Sequence, residues 1–327
     1  MLRLPPFEYY LPQSIHEAVS LKAKFGEDAM YSAGGTDLYP NMKRKQYTPN
    51  TLIGINELRE LSLINIDNNG ISLGSGTSLN ELANHPEIKK FYPALSKAAS
   101  LVSSPQLRNM GTIGGNLCLD TRCTYYNQTY PWRKALGFCL KKDGDICWVA
   151  RKSPICLAIS SSDCAPVAVA LNAEFHLTGE NSQRIIAAED FYKNDGISYL
   201  NKTHDELLVS INIPSHNGWL MSYKKLRRRD SIDFPVLSVA IALNLDKSGV
   251  CNNARIVLGA VASSPLRALK AETLLKGEEP TTELIEASAN AAAKLAKPMD
   301  NTDMTLGYRK KMAALFVKKA INEALGR

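Results

Sequence analysis

Two glycine-rich stretches decide the fold of this chain, Ala33-Gly-Gly-Thr-Asp-Leu38 and Gly111-Thr-Ile-Gly-Gly-Asn116. The first lies between two short apolar runs at 29–33 and 51–55, an order that indicates strand, glycine turn, helix and strand. Glycine lets a backbone approach a ligand closely and adopt positive φ, so such loops leave N–H groups accessible. Together the loops predict a site for the two phosphates of a dinucleotide. A tight turn is the competing interpretation for either loop alone, because neither matches the GxGxxG or Walker pattern.

Composition narrows the class of protein. The 327 residues are 45% hydrophobic and 22% charged, which is typical of a globular protein of two or three subdomains. The net charge of +7 is too small for a typical nucleic-acid binder. Basic residues cluster at 43–45, 141–142 and 224–229, either as solvated surface or as a patch for phosphates, CoA thioesters or an acidic partner such as a ferredoxin. With no apolar leader and no membrane-length run, we expect a cytoplasmic protein without membrane contacts.

The pattern of apolar residues divides the chain into three units. Residues 1–55 and 56–178 each indicate a small α/β unit, with helix starts marked by Ser14 and Ser78 and a glutamate three residues later. Residues 179–327 change to strands followed by helices, which predicts an α+β domain with the helices on one face of a sheet. The expected fold class is therefore α+β.

Six of the seven cysteines lie between Cys118 and Cys164, and four of these follow the spacing C-x15-C-x7-C-x8-C in an insert at 119–158. A long stretch without periodicity inside a compact domain needs an anchor, and four thiolates on one metal centre would supply it. Structural zinc sites show paired C-x2–4-C spacing, which is missing here. Wide, irregular spacing fits an iron–sulfur cluster better, while zinc and coincidental cysteines stay open at this point. We assign Cys118, Cys164 and Cys251 to packing.

Further motifs follow the glycine loops in order: Ser162-Asp163-x-x-Pro166, Tyr223-x-Lys225 and Ser264-Pro265-x-Arg267-Ala268. With the two loops, they resemble the FAD-binding medium subunits of the xanthine dehydrogenase family of molybdenum hydroxylases, over nearly the whole chain. The insert is similar to that of the β subunits of 4-hydroxybenzoyl-CoA reductases, which carries an additional [4Fe–4S] cluster.

The resemblance implies a two-part FAD-binding domain of the vanillyl-alcohol oxidase type, a C-terminal α+β domain and a [4Fe–4S] loop insert. It also implies residue roles. The FAD-binding residues would be Ala33, Gly34, Gly35, Thr36, Asp37, Gly111, Thr112, Ile113, Gly114, Gly115, Asn116, Asp163 and Lys225. The cluster ligands would be Cys123, Cys139, Cys147 and Cys156. Lys224 is an alternative to Lys225 beside the flavin, and Tyr199 or Leu200 would pack over its ring. A helix N-cap is the competing role for Asp163.

The function implied by the resemblance is electron transfer within a molybdenum-containing 4-hydroxybenzoyl-CoA reductase. Electrons from a ferredoxin-like donor would pass through the [4Fe–4S] cluster and FAD to a small [2Fe–2S] subunit and a large molybdopterin subunit, in a dimer of heterotrimers. The alternative is the FAD subunit of a related purine, heterocycle or CO-type dehydrogenase working oxidatively, with a structural or zinc-binding insert. A third possibility is a nucleotide-binding assembly protein without a redox role.

Overall fold

The structure is a computed structural model that describes residues 2–327. Its first unit is a three-stranded parallel sheet in the order β1-β3-β2, formed by β1 (Glu8–Tyr10), β2 (Ala29–Ser32) and β3 (Thr51–Gly54). Helix α1 (Ile15–Phe25) connects the first two strands and begins at Ser14, whose hydroxyl accepts the amide of Glu17 at 3.1 Å as the sequence predicts. Helix α2 (Leu38–Lys43) follows the first glycine loop.

The second unit contains a five-stranded antiparallel sheet in the order β4-β5-β8-β6-β7. Helices cover one face of it and bury a large apolar core. The strands are β4 (Ile64–Asp67), β5 (Gly70–Gly74), β6 (Glu174–Thr178), β7 (Gln183–Ala187) and β8 (Leu207–Pro214). The helices of this part of the chain are α3 (Leu79–Asn84), α4 (Pro86–Phe91), α5 (Pro93–Ser100), α6 (Pro105–Met110), α7 (Ile113–Leu117), α8 (Tyr130–Ala135), α9 (Cys164–Ala170) and α10 (Ala188–Phe191).

The sheet of the second unit extends beyond the predicted boundary at residue 178. Strand β8 pairs with β5 on one side and with β6 on the other, so it lies in the middle of that sheet. Alternating apolar residues place Leu208, Ile211 and Ile213 in the same core as the earlier strands. The sequence pattern identified the strand but not its partners, because strand pairing is a tertiary property.

The third unit is an antiparallel sheet in the order β12-β11-β10-β9 with three helices. The strands are β9 (Trp219–Leu226), β10 (Leu237–Leu245), β11 (Cys251–Gly259) and β12 (Leu266–Arg267), and the helices are α11 (Leu269–Leu275), α12 (Thr282–Ala293) and α13 (Leu306–Ala324). Strand β9 includes the first part of the basic cluster at 224–229. In the described range 2–327, no helix is long and apolar enough to cross a membrane.

Strand β10 shows how the third unit is held against the second. Val239, Ile241 and Leu243 point into a core shared with the C-terminal helices. Ala240 and Ala242 point to the opposite face and join the core of the second unit, where α9 packs. The predicted arrangement with helices on one face is confirmed. The other face brings β9 beside the start of α9, which positions the site described below.

Candidate cofactor sites

A large pocket lies where the two glycine loops meet, and we call it the glycine-loop pocket. It measures about 450 Å³, within the usual range for small-molecule sites. The predicted residues that line it are Ala33, Gly34, Gly35, Thr36, Asp37, Gly111, Thr112, Gly114, Gly115, Asn116 and Asp163. Two predicted residues, Ile113 and Lys225, do not line it. The side chain of Ile113 is instead buried in the core of the second unit.

Glycine is required where the loops touch. A Cβ atom on Gly34 would overlap the Met110 carbonyl group at the end of α6, just before the second loop. Gly35 has a φ of 67°, a conformation that L side chains rarely adopt. A Cβ on Gly114 would lie 2.6 Å from the Cβ of Ser75. These contacts explain why glycines recur in both loops.

The two loops differ in their backbone hydrogen bonds. Within residues 2–327, the amides of Gly35, Thr36 and Asp37 find no protein acceptor. In the second loop, the Gly114 amide donates to Ser75 O at 2.8 Å and the Gly115 amide to Thr112 Oγ1 at 3.1 Å. The first loop therefore offers free donors to an anionic ligand, whereas most amides of the second loop are already satisfied.

Asp163 is buried at the start of α9, but its side chain does not cap that helix. Its carboxylate accepts the Tyr223 hydroxyl at 2.6 Å and the Lys225 ammonium at 2.8 Å. Burial raises the pKa of Asp163, and the charge of Lys225 opposes that rise. Asp163 therefore occupies the N-cap position of α9 without making the side-chain hydrogen bond of a cap. This network joins the third unit to the wall of the glycine-loop pocket.

The strand register separates the two candidate lysines. Lys225 points toward Asp163 and also donates to Leu101 O at 2.9 Å. Lys224, one residue earlier, points to the other face of β9 and pairs with Glu323 on α13. The structure thus places Lys225 behind Asp163 rather than at the pocket surface. Of the two ring-packing candidates, Tyr199 lines the pocket and Leu200 packs against the core.

Several pocket residues were missed by sequence reasoning. Arg122 forms an ion pair with Asp37 at 3.3 Å, and its guanidinium lies 4.0 Å from the ring centre of Phe234. Burial raises the pKa of Asp37, and Arg122 counteracts that rise. Tyr47 and Asp120 complete this part of the wall. These residues lie outside any motif, and only their proximity in space reveals them.

The four insert cysteines line a second space, which we call the cysteine cavity. Cys123, Cys139, Cys147 and Cys156 are free thiols, between 5% and 8% exposed, that surround it. Burial is the main cause that raises the pKa of the Cys123 thiol to about 12, and the neighbouring Cys156 and Cys139 contribute to that rise. Sequence residues up to 33 positions apart thus converge without forming a disulfide.

The four thiols are not arranged around one metal ion. Thiolates on one zinc ion lie at about 2.3 Å from the metal and hence close to one another. Across residues 2–327, no group of three or more His, Cys, Asp or Glu side chains is arranged to hold a single metal ion. Four converging thiols are a donor set that zinc or an iron–sulfur cluster can use, and the structure itself shows no cluster.

The other three cysteines lie outside the cysteine cavity. Cys164 lies in the core of the second unit and Cys251 in that of the third, both fully buried. Cys118 is only partly buried, and it packs against the core while also lining the glycine-loop pocket. None of the three lines the cysteine cavity.

Comparison with known proteins decides the family. Residues 5–216 match the model of the FAD binding domain in molybdopterin dehydrogenase, and residues 221–324 match the CO dehydrogenase flavoprotein C-terminal domain. The chain belongs to the family of FAD-binding medium subunits of molybdenum hydroxylases. It is 31% identical to the carbon monoxide dehydrogenase medium chain of Hydrogenophaga pseudoflava, with 99% of this chain and 98% of the relative covered. It is 33% identical to the aldehyde oxidoreductase FAD-binding subunit PaoB of Escherichia coli K12, covering 84% and 88%.

A solved structure supports the same assignment. The carbon monoxide dehydrogenase of Hydrogenophaga pseudoflava that lacks the Mo-pyranopterin moiety contains a chain of the same fold, with a TM-score of 0.81 and 30% identity over 99% of both chains. This medium subunit is therefore an FAD-binding component of an oxidoreductase, with a FAD-binding domain followed by a C-terminal domain. The comparisons do not show the closer relation to 4-hydroxybenzoyl-CoA reductases or the [4Fe–4S] insert.

The glycine-loop pocket fits FAD by its own chemistry. The free amides of the first loop suit phosphate oxygens, since backbone N–H groups bind anions well where glycine permits close approach. Tyr199 offers an aromatic surface and Asp163 a buried carboxylate on the same lining. The individual roles of these residues toward FAD stay predictions.

Proposed function

We propose that this medium subunit carries two redox groups, FAD in the glycine-loop pocket and a [4Fe–4S] cluster in the cysteine cavity, and that it works as an electron-transfer subunit. When bound, the cluster would exchange single electrons and FAD one or two. The observation that carries this proposal is the convergence of four buried, free cysteines on one cavity. An insert beside a flavin site has a use for iron and sulfur that zinc cannot serve.

The first glycine loop would hold the FAD pyrophosphate through the amides of Gly35, Thr36 and Asp37, which have no acceptor in residues 2–327. The second loop would shape the pocket, because its close contacts with Ser75 fix the backbone. Asp163 would accept a hydrogen bond from a ribityl or ribose hydroxyl, and Lys225 would keep that carboxylate ionised and oriented.

The cluster would be held by Cys123, Cys139, Cys147 and Cys156, and the aromatic side chains around them would exclude water. Tyr125, Tyr126 and Trp148 line the same cavity. The Trp148 indole donates to Phe138 O at 2.5 Å, which fixes the turn that carries Cys139. The insert is thereby ordered around the thiols although its only helix, α8, has six residues.

We propose that further redox groups lie on partner subunits. This chain has no C-x4-C-x2-C run of the plant ferredoxin type. We propose a large molybdopterin subunit and a small [2Fe–2S] subunit as partners, assembled as a dimer of heterotrimers in the cytoplasm. The names of the relatives, medium chain and FAD-binding subunit, support such an assembly.

The overall reaction has two candidates, and the comparisons favour the oxidative one. The relatives are named as carbon monoxide dehydrogenases, a nicotinate dehydrogenase and an aldehyde oxidoreductase. On that basis this subunit would take electrons released when a partner subunit oxidises a small carbonyl or heterocyclic substrate.

The cysteine cavity favours the second candidate, reductive removal of the phenolic hydroxyl of 4-hydroxybenzoyl-CoA with a ferredoxin-like donor. Reducing a phenolic ring needs low-potential electrons delivered one at a time, for which a cluster that exchanges single electrons is suited. Assaying the purified complex with each substrate class separates the two directions. Reduction of 4-hydroxybenzoyl-CoA by reduced ferredoxin supports the second candidate, and oxidation of an aldehyde or heterocycle without that activity supports the first.

Metal analysis tests the cluster itself. We expect about four irons and four acid-labile sulfides per medium subunit in anaerobically isolated protein, together with one FAD. The electron paramagnetic resonance spectrum after reduction should show a cluster signal from this chain alone. Zinc in place of iron, or no metal with full flavin, would refute the cluster and leave the FAD assignment standing.

A further inference from the structure

Lys141 lies between the two proposed redox sites. Its side chain is only 6% exposed. The ammonium donates to Asp120 Oδ1 at 2.7 Å and to Thr121 Oγ1 at 2.8 Å, and it also donates to the Gly196 carbonyl. Every one of its three protons therefore has an acceptor.

Each site contributes one aromatic ring to the surroundings of this ammonium. The ring centre of Tyr126, which lines the cysteine cavity, lies 4.9 Å from Nζ. The ring centre of Tyr199, which lines the glycine-loop pocket, lies 5.2 Å from it on another side. Both distances are typical of cation–π contacts. Lys141 is itself part of the cysteine-cavity lining.

Asp120, the counter-ion of Lys141, belongs to the other site. Its carboxylate lines the glycine-loop pocket, and its second oxygen accepts the Tyr47 hydroxyl. A buried ion pair thus spans the wall between the two sites, with the cation on the cysteine side and the anion on the pocket side.

The backbone between the sites is packed too closely to move independently. The Gly196 amide donates to Cys156 O at 2.8 Å, and a Cβ added at Gly196 would lie 2.7 Å from Cys156 Sγ. The same residue's carbonyl accepts from Lys141 and from Thr121. Gly196 therefore connects Cys156 of the cysteine cavity with Lys141 and Thr121.

We propose that Lys141 is a positioning residue that couples the cysteine cavity to the glycine-loop pocket through its charge. On the pocket side it neutralises Asp120, so that this carboxylate does not face the anionic FAD as an unpaired negative charge. On the cavity side it places one positive charge beside the thiolates, which favours the more negative, reduced form of a bound cluster. The effect on the cysteine cavity (the cavity half) rests on the proposed function. The effect on the glycine-loop pocket (the pocket half) requires only that FAD binds.

The pocket half is tested by a double-mutant cycle on flavin binding to the apoprotein. Lys141→Met leaves the Asp120 carboxylate unpaired in the pocket wall, and we expect FAD to bind about tenfold more weakly or worse, since like charges placed side by side cost at least that much. In the Asp120→Asn background the same change should have no further effect. Lys141→Arg should keep near-normal affinity, and Lys142→Met is the matched control because the Lys142 side chain is 42% exposed and its ion-pair partner within residues 2–327 is Asp143, at 3.8 Å. Normal affinity of Lys141→Met, or an equal loss in both backgrounds, would overturn this half.

The cavity half is tested by redox titration of the cluster signal in the isolated complex. We expect a lower midpoint potential in Lys141→Met than in wild type, with Lys141→Arg and Lys142→Met close to wild type. An unchanged midpoint in a variant with full iron would overturn the coupling while leaving the cluster intact. Iron-free wild-type protein would overturn the proposed cluster together with the cavity half. The double-mutant cycle on flavin binding would still decide the pocket half.

Discussion

The glycine-loop pocket and the cysteine cavity lie side by side but are built in opposite ways. The pocket is formed largely by backbone, at the ends of β2 and α6, where glycines allow two loops to touch. The cavity is formed by side chains carried on turns, with one helix of six residues in the whole insert. A backbone-built site is damaged by added atoms, whereas a side-chain-built site is damaged by removed atoms. The two sites should therefore respond to different substitutions.

Asp163 is the exception to this contrast, because it gives the pocket wall a charged side chain that other residues depend on. Removing it in Asp163→Ala leaves the Lys225 ammonium, which is 1% exposed, without its counter-ion. We expect a loss of about 3–5 kcal/mol in the free energy of unfolding, the usual result of breaking a buried ion pair, and with it the largest loss of flavin retention. Urea unfolding and flavin fluorescence after gel filtration measure the two effects.

The double variant Asp163→Ala/Lys225→Met is the control for this explanation. It removes both charges, so much of the stability should return, while flavin retention stays low if the carboxylate itself contacts FAD. Unchanged flavin retention in a folded Asp163→Ala protein would contradict the assigned role of this residue.

Gly34→Ala tests the backbone-built part of the comparison with a single added methyl group. The new Cβ would overlap the Met110 carbonyl, and the loops would have to separate. We expect a loss of about 1–3 kcal/mol in stability and flavin binding weaker by about one to two orders of magnitude. Iron content should stay normal. Gly115→Ala is the matched control in the same pocket, because its Cβ would meet only Thr112 Oγ1 at 3.1 Å; equal losses in both variants would argue against loop contact as the cause.

The contrast also explains how much the sequence could predict. The start of helix α1 was predicted because a capping serine with a glutamate three residues later marks it. The glycine loops were recognised because positive φ and close approach leave a residue-type signal. Strand β9 was missed because it carries a lysine on each face, Lys224 toward α13 and Lys225 toward Asp163, which hides the alternation expected of a strand.

The sites were predicted less evenly than the fold. Four cysteines at odd spacing could be grouped from the sequence, since few other roles explain them in one insert. Lys225 was placed at the flavin, yet it lies behind Asp163, because only the strand register shows which way it points. Asp120, Lys141 and Arg122 carry no motif, and their importance comes from contacts between residues far apart in the chain.

Thr112→Ala tests a smaller element of the pocket, the cap of helix α7. The Thr112 hydroxyl accepts the Gly115 amide at 3.1 Å, and losing a cap costs about 1 kcal/mol. If that cost falls on the flavin-bound state, binding weakens about fivefold. Thr281→Ala removes a comparable cap from α12, far along the chain, where Thr281 accepts the Leu284 amide at 3.3 Å. It should lower stability similarly without changing flavin affinity, and a matching loss of affinity there would show that the effect is global.

Cys139→Ser should have the smallest effect on flavin and decides whether the two sites are separable. The serine keeps the shape of the residue but removes a thiolate ligand, so we expect iron to be lost while FAD stays bound at its normal stoichiometry. Cys251→Ala is the control, because Cys251 lies in the core of the third unit. This variant should lose some folding stability but no iron. Loss of flavin together with iron in Cys139→Ser would mean that the insert supports the pocket through the Lys141–Asp120 pair, because the turn that contains Cys139 also carries Lys141. Retained flavin would instead show that the pocket keeps its cofactor when the cluster is gone, so that the two sites are separable.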